Sequence, residues 1–238
     1  RPGPVAVEIP IDVALEEVAE ESFYYRPSRR VASQGDPRDV EAAAQALCQA
    51  RHPVIHAGQG SLYAGAGEEL VELAELLKAP VMTTLLGKSA FPETHPLALG
   101  SGSGVMSGPV YKFVGRADVI FGIGCSFTKH GMCMNIPPGK TLIQATNDPG
   151  DINKDYNIDH PIVGDAKLVL RQMIDACRDI VGNSRQSDET VAAEIESERG
   201  SWLGLWTGKL TSSSTPINPY RVIWDLMQAI RPEDAIVT

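Results

Sequence analysis

Apolar residues along the chain fall into short unbroken runs, separated by stretches whose apolar positions recur every three to four residues. The runs are Pro53 to His56 (PVIH), Pro80 to Thr84 (PVMTT), Ala117 to Ile123 (ADVIFGI), Lys140 to Ala145 (KTLIQA) and the short Ile162-Val163. Runs without alternation are the pattern of strands buried on both faces. Helical faces lie between them. Asp36-Pro37 opens one, with Pro at its first position and Val40, Ala43, Ala44, Leu47 and Cys48 on one side. A second spans Gly65 to Lys78, with Leu70, Leu73, Ala74 and Leu77 inward, and Val110 to Val114 predicts a further helical turn. Asp165 caps a last one carrying Leu168, Leu170, Met173, Ile174 and Cys177. Strands alternating in this way with helices predict a three-layer α/β domain, a parallel β-sheet flanked by helices on both faces.

The flanks read differently. Pro4 to Pro10 (PVAVEIP) alternates like a strand, and residues 14–35 are charged and aromatic without periodicity, which predicts a linker. The core domain then covers residues 36–183. Asn183 to Thr215 is polar, broken by Trp202, Leu205 and Trp206, and reads as a second linker that packs on something. Pro219 to Ile230 predicts a helix opening another domain, and Ala235 to Thr238 the start of a strand. With no initiator Met and a strand interrupted at either end, the chain reads as a fragment of a longer polypeptide. Val5 to Ile9 and Ala235 to Thr238 are expected to pair with other strands, since open edges are sticky.

Composition narrows the function classes. The 238 residues are 43% hydrophobic and 21% charged, ordinary for a globular protein with a sizeable core. A net charge of -9 without a Lys/Arg cluster excludes nucleic acid as a partner. Cys48, Cys125, Cys133 and Cys177 form no C-x-x-C, which suits a reducing, cytoplasmic setting. Neither a signal peptide nor a membrane span is present in the sequence.

Candidate chemistry concentrates in glycines. Gly58-Gln59-Gly60 and Gly122-Ile123-Gly124 each follow a predicted strand, and Gly87, Gly100, Gly102, Gly104 and Gly108 punctuate the loop after Thr84. These loops fall at the carboxyl edge of the sheet, where open α/β sheets bind ligands, and glycine lets backbone approach a ligand closely. A lone G-x-G more often marks a tight strand-to-helix turn, but two such loops together with Gly100 to Gly108 favour a groove. A dinucleotide fingerprint needs another glycine and a ribose-binding acid, but Tyr63 and Thr83-Thr84 stand there, which disfavours a hydride-transferring dehydrogenase. Cys125, His130 and Cys133 match zinc ligands by residue type, yet no fourth ligand is evident and loop packing explains them.

Several segments together carry a resemblance: RPGPVAVEIPIDV at Arg1, HPVIHAGQGSLYAGAGEELVELAELLKAPVMTTLLGKSAFPETHPLALG at His52, ADVIFGIG at Ala117, DPGDINKDY at Asp148, IVGDAK at Ile162 and PINPYRV at Pro216. In order and spacing the chain resembles the thiamine diphosphate-dependent, acetolactate synthase-like decarboxylases and carboligases. The resemblance implies that residues 1–13 end a pyrimidine-binding domain and that residues 36–183 form the central domain. It further implies that residues 184–217 link onward and residues 218–238 begin a pyrophosphate-binding domain. A Rossmann-like fold of the DHS-like NAD/FAD-binding type follows for the centre.

Such enzymes act on 2-keto acids as homodimers or homotetramers, with thiamine diphosphate and Mg²⁺ held between the outer domains by a glutamate and a Gly-Asp-Gly motif. Neither motif occurs at a matching position here, so the resemblance implies a catalytically silent central domain with neither cofactor bound. Carried over by position, a nucleotide groove would involve Gly58, Gln59, Gly60, Thr84, Leu85, Gly100, Gly102, Gly104, Gly124 and Ser126. FAD is not expected, because the family's Arg-Phe-Asp-Asp-Arg type run is replaced by Cys125 to His130, and its Ile-Asp-Ile-Asp by Ala145-Thr146-Asn147-Asp148. The alternative is a stand-alone module binding FAD, ADP or a coenzyme A nucleotide.

Overall fold

A computed structural model of the protein describes residues 4–19, 24–27, 29, 31–182, 190–231 and 235. Six strands form one sheet: β1 (Pro53–Ala57), β2 (Val81–Thr83), β3 (Ala98–Ser101), β4 (Val119–Ile123), β5 (Thr141–Thr146) and β6 (His160–Val163). Every neighbouring pair is parallel, and the order across the sheet is β3-β2-β1-β4-β5-β6. The helices are α1 (Ile11–Ala14), α2 (Pro37–Gln49), α3 (Gln59–Ala64), α4 (Gly67–Leu77), α5 (Gly108–Arg116), α6 (Ala166–Val181), α7 (Thr190–Leu210) and α8 (Pro219–Ala229).

Local chemistry sets the boundaries. Asp36 accepts from Arg38 N at α2, Asp165 from Lys167 N and Leu168 N at α6, and Asn218 from Tyr220 N at α8. These caps satisfy amides that a helix start leaves unpaired. The α4 helix ends at Lys78 in the left-handed region, φ +52°.

Right-handed crossovers put helices on the face that the direction of winding selects. Here α2, α4 and α6 pack together on one face, over Ile55, Phe121 and Ile143, while α5 and α7 pack together on the other. No helix connects β4 to β5. The loop from Gly124 to Lys140 covers that part of the α5 side instead, which decides the shape of the carboxyl edge.

Four readings need correction. The Gly-rich loop contains β3, which pairs Val81 with Ala98 and Met82 with Gly100 across an irregularity that Gly100 permits with φ +99°. The helix predicted over Gly65 to Lys78 is α4, and the short α3 before it, ended by Gly65 at φ +63°, was not predicted. The polar stretch read as a linker holds the 21-residue α7, docked on α5 by Arg116 and Glu194 with two hydrogen bonds of 2.6 and 2.7 Å. Pro4 to Pro10 joins no strand ladder among the described residues, and Val5, Val7 and Ile9 are exposed. Ile236 to Thr238, expected to extend a strand, lie outside the described residues.

Candidate functional site

The winding reverses between β1 and β4, and the crevice beyond the carboxyl ends of those strands is where a sheet of this kind receives a ligand. Gly58 to Gly60 follow β1 there, and Gly124 follows β4. The structure does bring the expected glycines together, but against each other. Gly58 N donates to Ile123 O (2.8 Å), Gly60 N to Gly124 O (2.9 Å) and Gly124 N to Ala145 O (2.8 Å). A Cβ on Gly60 would stand 2.8 Å from Gly124 Cα, and one on Gly58 would run into the Gly124 carbonyl. Gly124 has φ +63°, and a Cβ on it would lie 2.5 Å from Ser61 N. Close approach is needed, as glycine predicts, but the partner is backbone.

The opposite wall is knit in the same way. Gly102 N donates to Thr83 O (2.7 Å), and a Cβ there would meet Met82 Sδ at 3.0 Å and Met134 Sδ at 3.4 Å. Gly104 N donates to Met132 O (3.1 Å) beside an antiparallel bridge between Ser103 and Cys133. Thr84 N donates to Ala57 O (2.8 Å) and its Oγ1 accepts from Gly87 N (2.9 Å). Ser126 Oγ lies 2.7 Å from Thr128 Oγ1, Gln59 is half-buried, and Leu85 is half-exposed. Of the expected groove residues, Gly100 keeps open space, its Cβ position meeting only Ser107 Oγ at 3.9 Å.

Phe127 closes what remains. It sits at φ +45°, unusual for an aromatic residue, and its ring occupies the space above Gly122 where any Cβ would collide. On the same face of β1 the His56 ring lies 5.9 Å from it, centroid to centroid. Burial holds His56 neutral, its pKa pushed down to about 4, and among the described residues neither ring nitrogen has a hydrogen-bond partner. Burial likewise pushes the Cys125 thiol up to about 12, which leaves it protonated and a poor nucleophile.

The loop is fastened from below. Gln144 Nε2 donates to Cys125 O (3.1 Å) and Asp151 O (3.3 Å), while Ile136 N donates to Tyr156 Oη (3.1 Å), whose hydroxyl reaches Asn135 Oδ1 at 3.2 Å. Sequence reasoning missed His56, Phe127, Gln144 and Tyr156 as a unit. The available signal was the pairing of His56 with Gly122 on adjacent buried strands, which leaves a space that an aromatic ring can fill. Among the described residues no group of His, Cys, Asp and Glu could hold a metal ion, and Cys125 is buried while His130 and Cys133 are exposed.

Residues 40–173 match the family described as thiamine pyrophosphate enzyme, central domain. The chain belongs to that family. A Methanocaldococcus jannaschii protein named "Probable acetolactate synthase large subunit" is 34% identical over 249 residues, covering 99% of this chain and 40% of the relative. The acetolactate synthase large subunit of Corynebacterium glutamicum is 36% identical over 243 residues, covering 98% of this chain and 37% of its own. This central-domain chain therefore spans about two fifths of the length of the curated relatives it matches. The benzoylformate decarboxylase structure from Polynucleobacter necessarius superposes with a TM-score of 0.59 at 24% identity, over 76% of this chain and 33% of that one, a likeness of fold. No helix among the described residues is long and apolar enough to cross a membrane.

Proposed function

We propose that this chain is the joining domain of a larger thiamine diphosphate- and Mg²⁺-dependent 2-keto acid decarboxylase or carboligase of the acetolactate synthase-like kind, and that it binds neither cofactor itself. Residues 1–13 and 218–238 are its connections to a pyrimidine-binding and a pyrophosphate-binding domain, and the intact enzyme works as a homodimer or homotetramer in the cytoplasm. The observation that carries the structural role is the closed carboxyl edge. Amides that would meet a ligand's phosphates are spent on Ile123, Gly124 and Ala145 carbonyls, and Phe127 fills the slot above Gly122. The residues present do not fit FAD, and no Gly-Asp-Gly is available for thiamine diphosphate and Mg²⁺.

The exposed apolar face of α8 supports the connecting role. Val222, Ile223, Leu226 and Met227 lie one helical turn or less apart, and each is between 39% and 60% exposed. Such a face in a soluble protein marks a covering partner.

Calorimetric titration of the full chain with thiamine diphosphate and Mg²⁺, and separately with FAD, should give no saturable heat. Micromolar affinity for either would overturn the reading. The coding sequence on either side should encode the activating glutamate upstream and a Gly-Asp-Gly downstream, and a stop codon on both sides would contradict the joining role.

A further inference from the structure

At the opposite, amino end of the sheet lies a cavity of about 140 Å³. Its polar lining is wholly basic among the described residues: Arg51, His52, Lys78 and Arg116. The remainder, including Val54, Leu77 and Phe113, is apolar. In a chain of net charge -9 such a grouping needs explanation. Arg51 and His52 lead into β1, Lys78 follows α4, and Arg116 ends α5, so three separate points of the fold converge here.

The neighbouring charges decide the sign. Glu194 is paired with both Arg116 (2.6 Å) and Lys112 (3.3 Å), and Lys112 also holds Glu198 (2.5 Å). Asp118 accepts from Arg51 N (2.7 Å) and His52 N (2.8 Å), and its charge acts on nearby Lys140. Glu194 and Glu198 are thus balanced by Arg116 and Lys112, while Asp118 lies near both His52 and Lys140. The Arg51 guanidinium and the Lys78 ammonium have no hydrogen bond or ion pair among the described residues. Among the described residues these two positive charges outweigh the carboxyl end of α4, which carries about half a negative charge. Arg116 Nε is buried and has no acceptor, although its other two nitrogens are bound to Glu194.

We infer that this cavity is a binding site for a small monocarboxylate with a short apolar body. The carboxylate accepts from Arg51 and Lys78, and the hydrocarbon lies against the half-buried Val191 and the stems of the two cations, over a floor of buried Val54, Leu77 and Phe113. The volume suits this, since a cavity of about 150 Å³ holds a body of about six carbons. The site is separated from the glycine edge by the length of β1 and stands independently of the joining role.

Sodium pentanoate is a suitable probe for the full chain, with 1-pentanol and inorganic phosphate as comparisons at constant ionic strength. Pentanoate should raise the melting temperature saturably, with a dissociation constant on the order of 1 mM, and pentanol should not. Arg51→Gln combined with Lys78→Asn should weaken binding by about tenfold or more. Both substitutions are tolerable for folding, because Arg51 is exposed and asparagine suits the φ of +52° at position 78. Tryptophan fluorescence and circular dichroism of the double variant should match the parent. Absence of saturable pentanoate binding, equal binding by the double variant, or tighter binding of phosphate than of pentanoate would each overturn the assignment.

Discussion

His56 is the residue whose chemistry is most altered by the fold. In the unfolded chain its imidazole titrates near its ordinary value of 6.5, whereas in the buried strand burial pushes the pKa down to about 4. Protons therefore bind the unfolded state first as pH falls. Stability present above pH 6.5 should decline by about 3 kcal/mol between there and pH 4, then level off. Urea unfolding at stepped pH should show this decline, and His56→Leu should remove most of it. A variant with an unchanged pH profile would show that other groups dominate. Gly58 offers a second test at this scale. Its Cβ would strike backbone that cannot turn aside, so Gly58→Ala should cost more than about 2 kcal/mol in the same assay.

At the scale of elements, α7 and β3 show what a pattern of apolar positions can and cannot reveal. Strands such as Val119–Ile123 were legible because burial on both faces makes them apolar throughout. Ala98–Ser101 was not, because a four-residue edge strand ending in Gly100 and Ser101 carries no such run. The α7 helix was hidden by glycines at 200, 204 and 208 and by apolar residues scattered around its circumference, since it docks through ion pairs and Trp202 rather than through one stripe. The alternation at Val5, Val7 and Ile9 reads as a strand, yet a ladder needs a partner that the described residues do not supply. Nothing lies within 4 Å of a Cβ at Gly204, so Gly204→Ala should stabilise α7 by about 0.5–1 kcal/mol, read as a raised melting temperature. Asp165→Ala, which removes the α6 cap, should lower stability by about 1 kcal/mol.

For the whole molecule, the sequence led correctly to the family, the parallel sheet and the edge where its glycines gather. It could not say what those glycines approach, because a missing side chain is equally compatible with a ligand and with another main chain. The exposed apolar face of α8 also has a consequence at this scale. The chain alone should self-associate as concentration rises, and Leu226→Glu with Met227→Lys should reduce this in size-exclusion chromatography without lowering the melting temperature. The seam between Gly58, Gly60 and Gly124 bears on motion. Ligand-receiving loops are ordinarily among the first parts of a protein to open. Here the main chains of two such loops are hydrogen-bonded across the centre of the sheet, so their amide protons should exchange with deuterium as slowly as those of β1 and β4. The end of the molecule that geometry reserves for change would then be among its stillest parts.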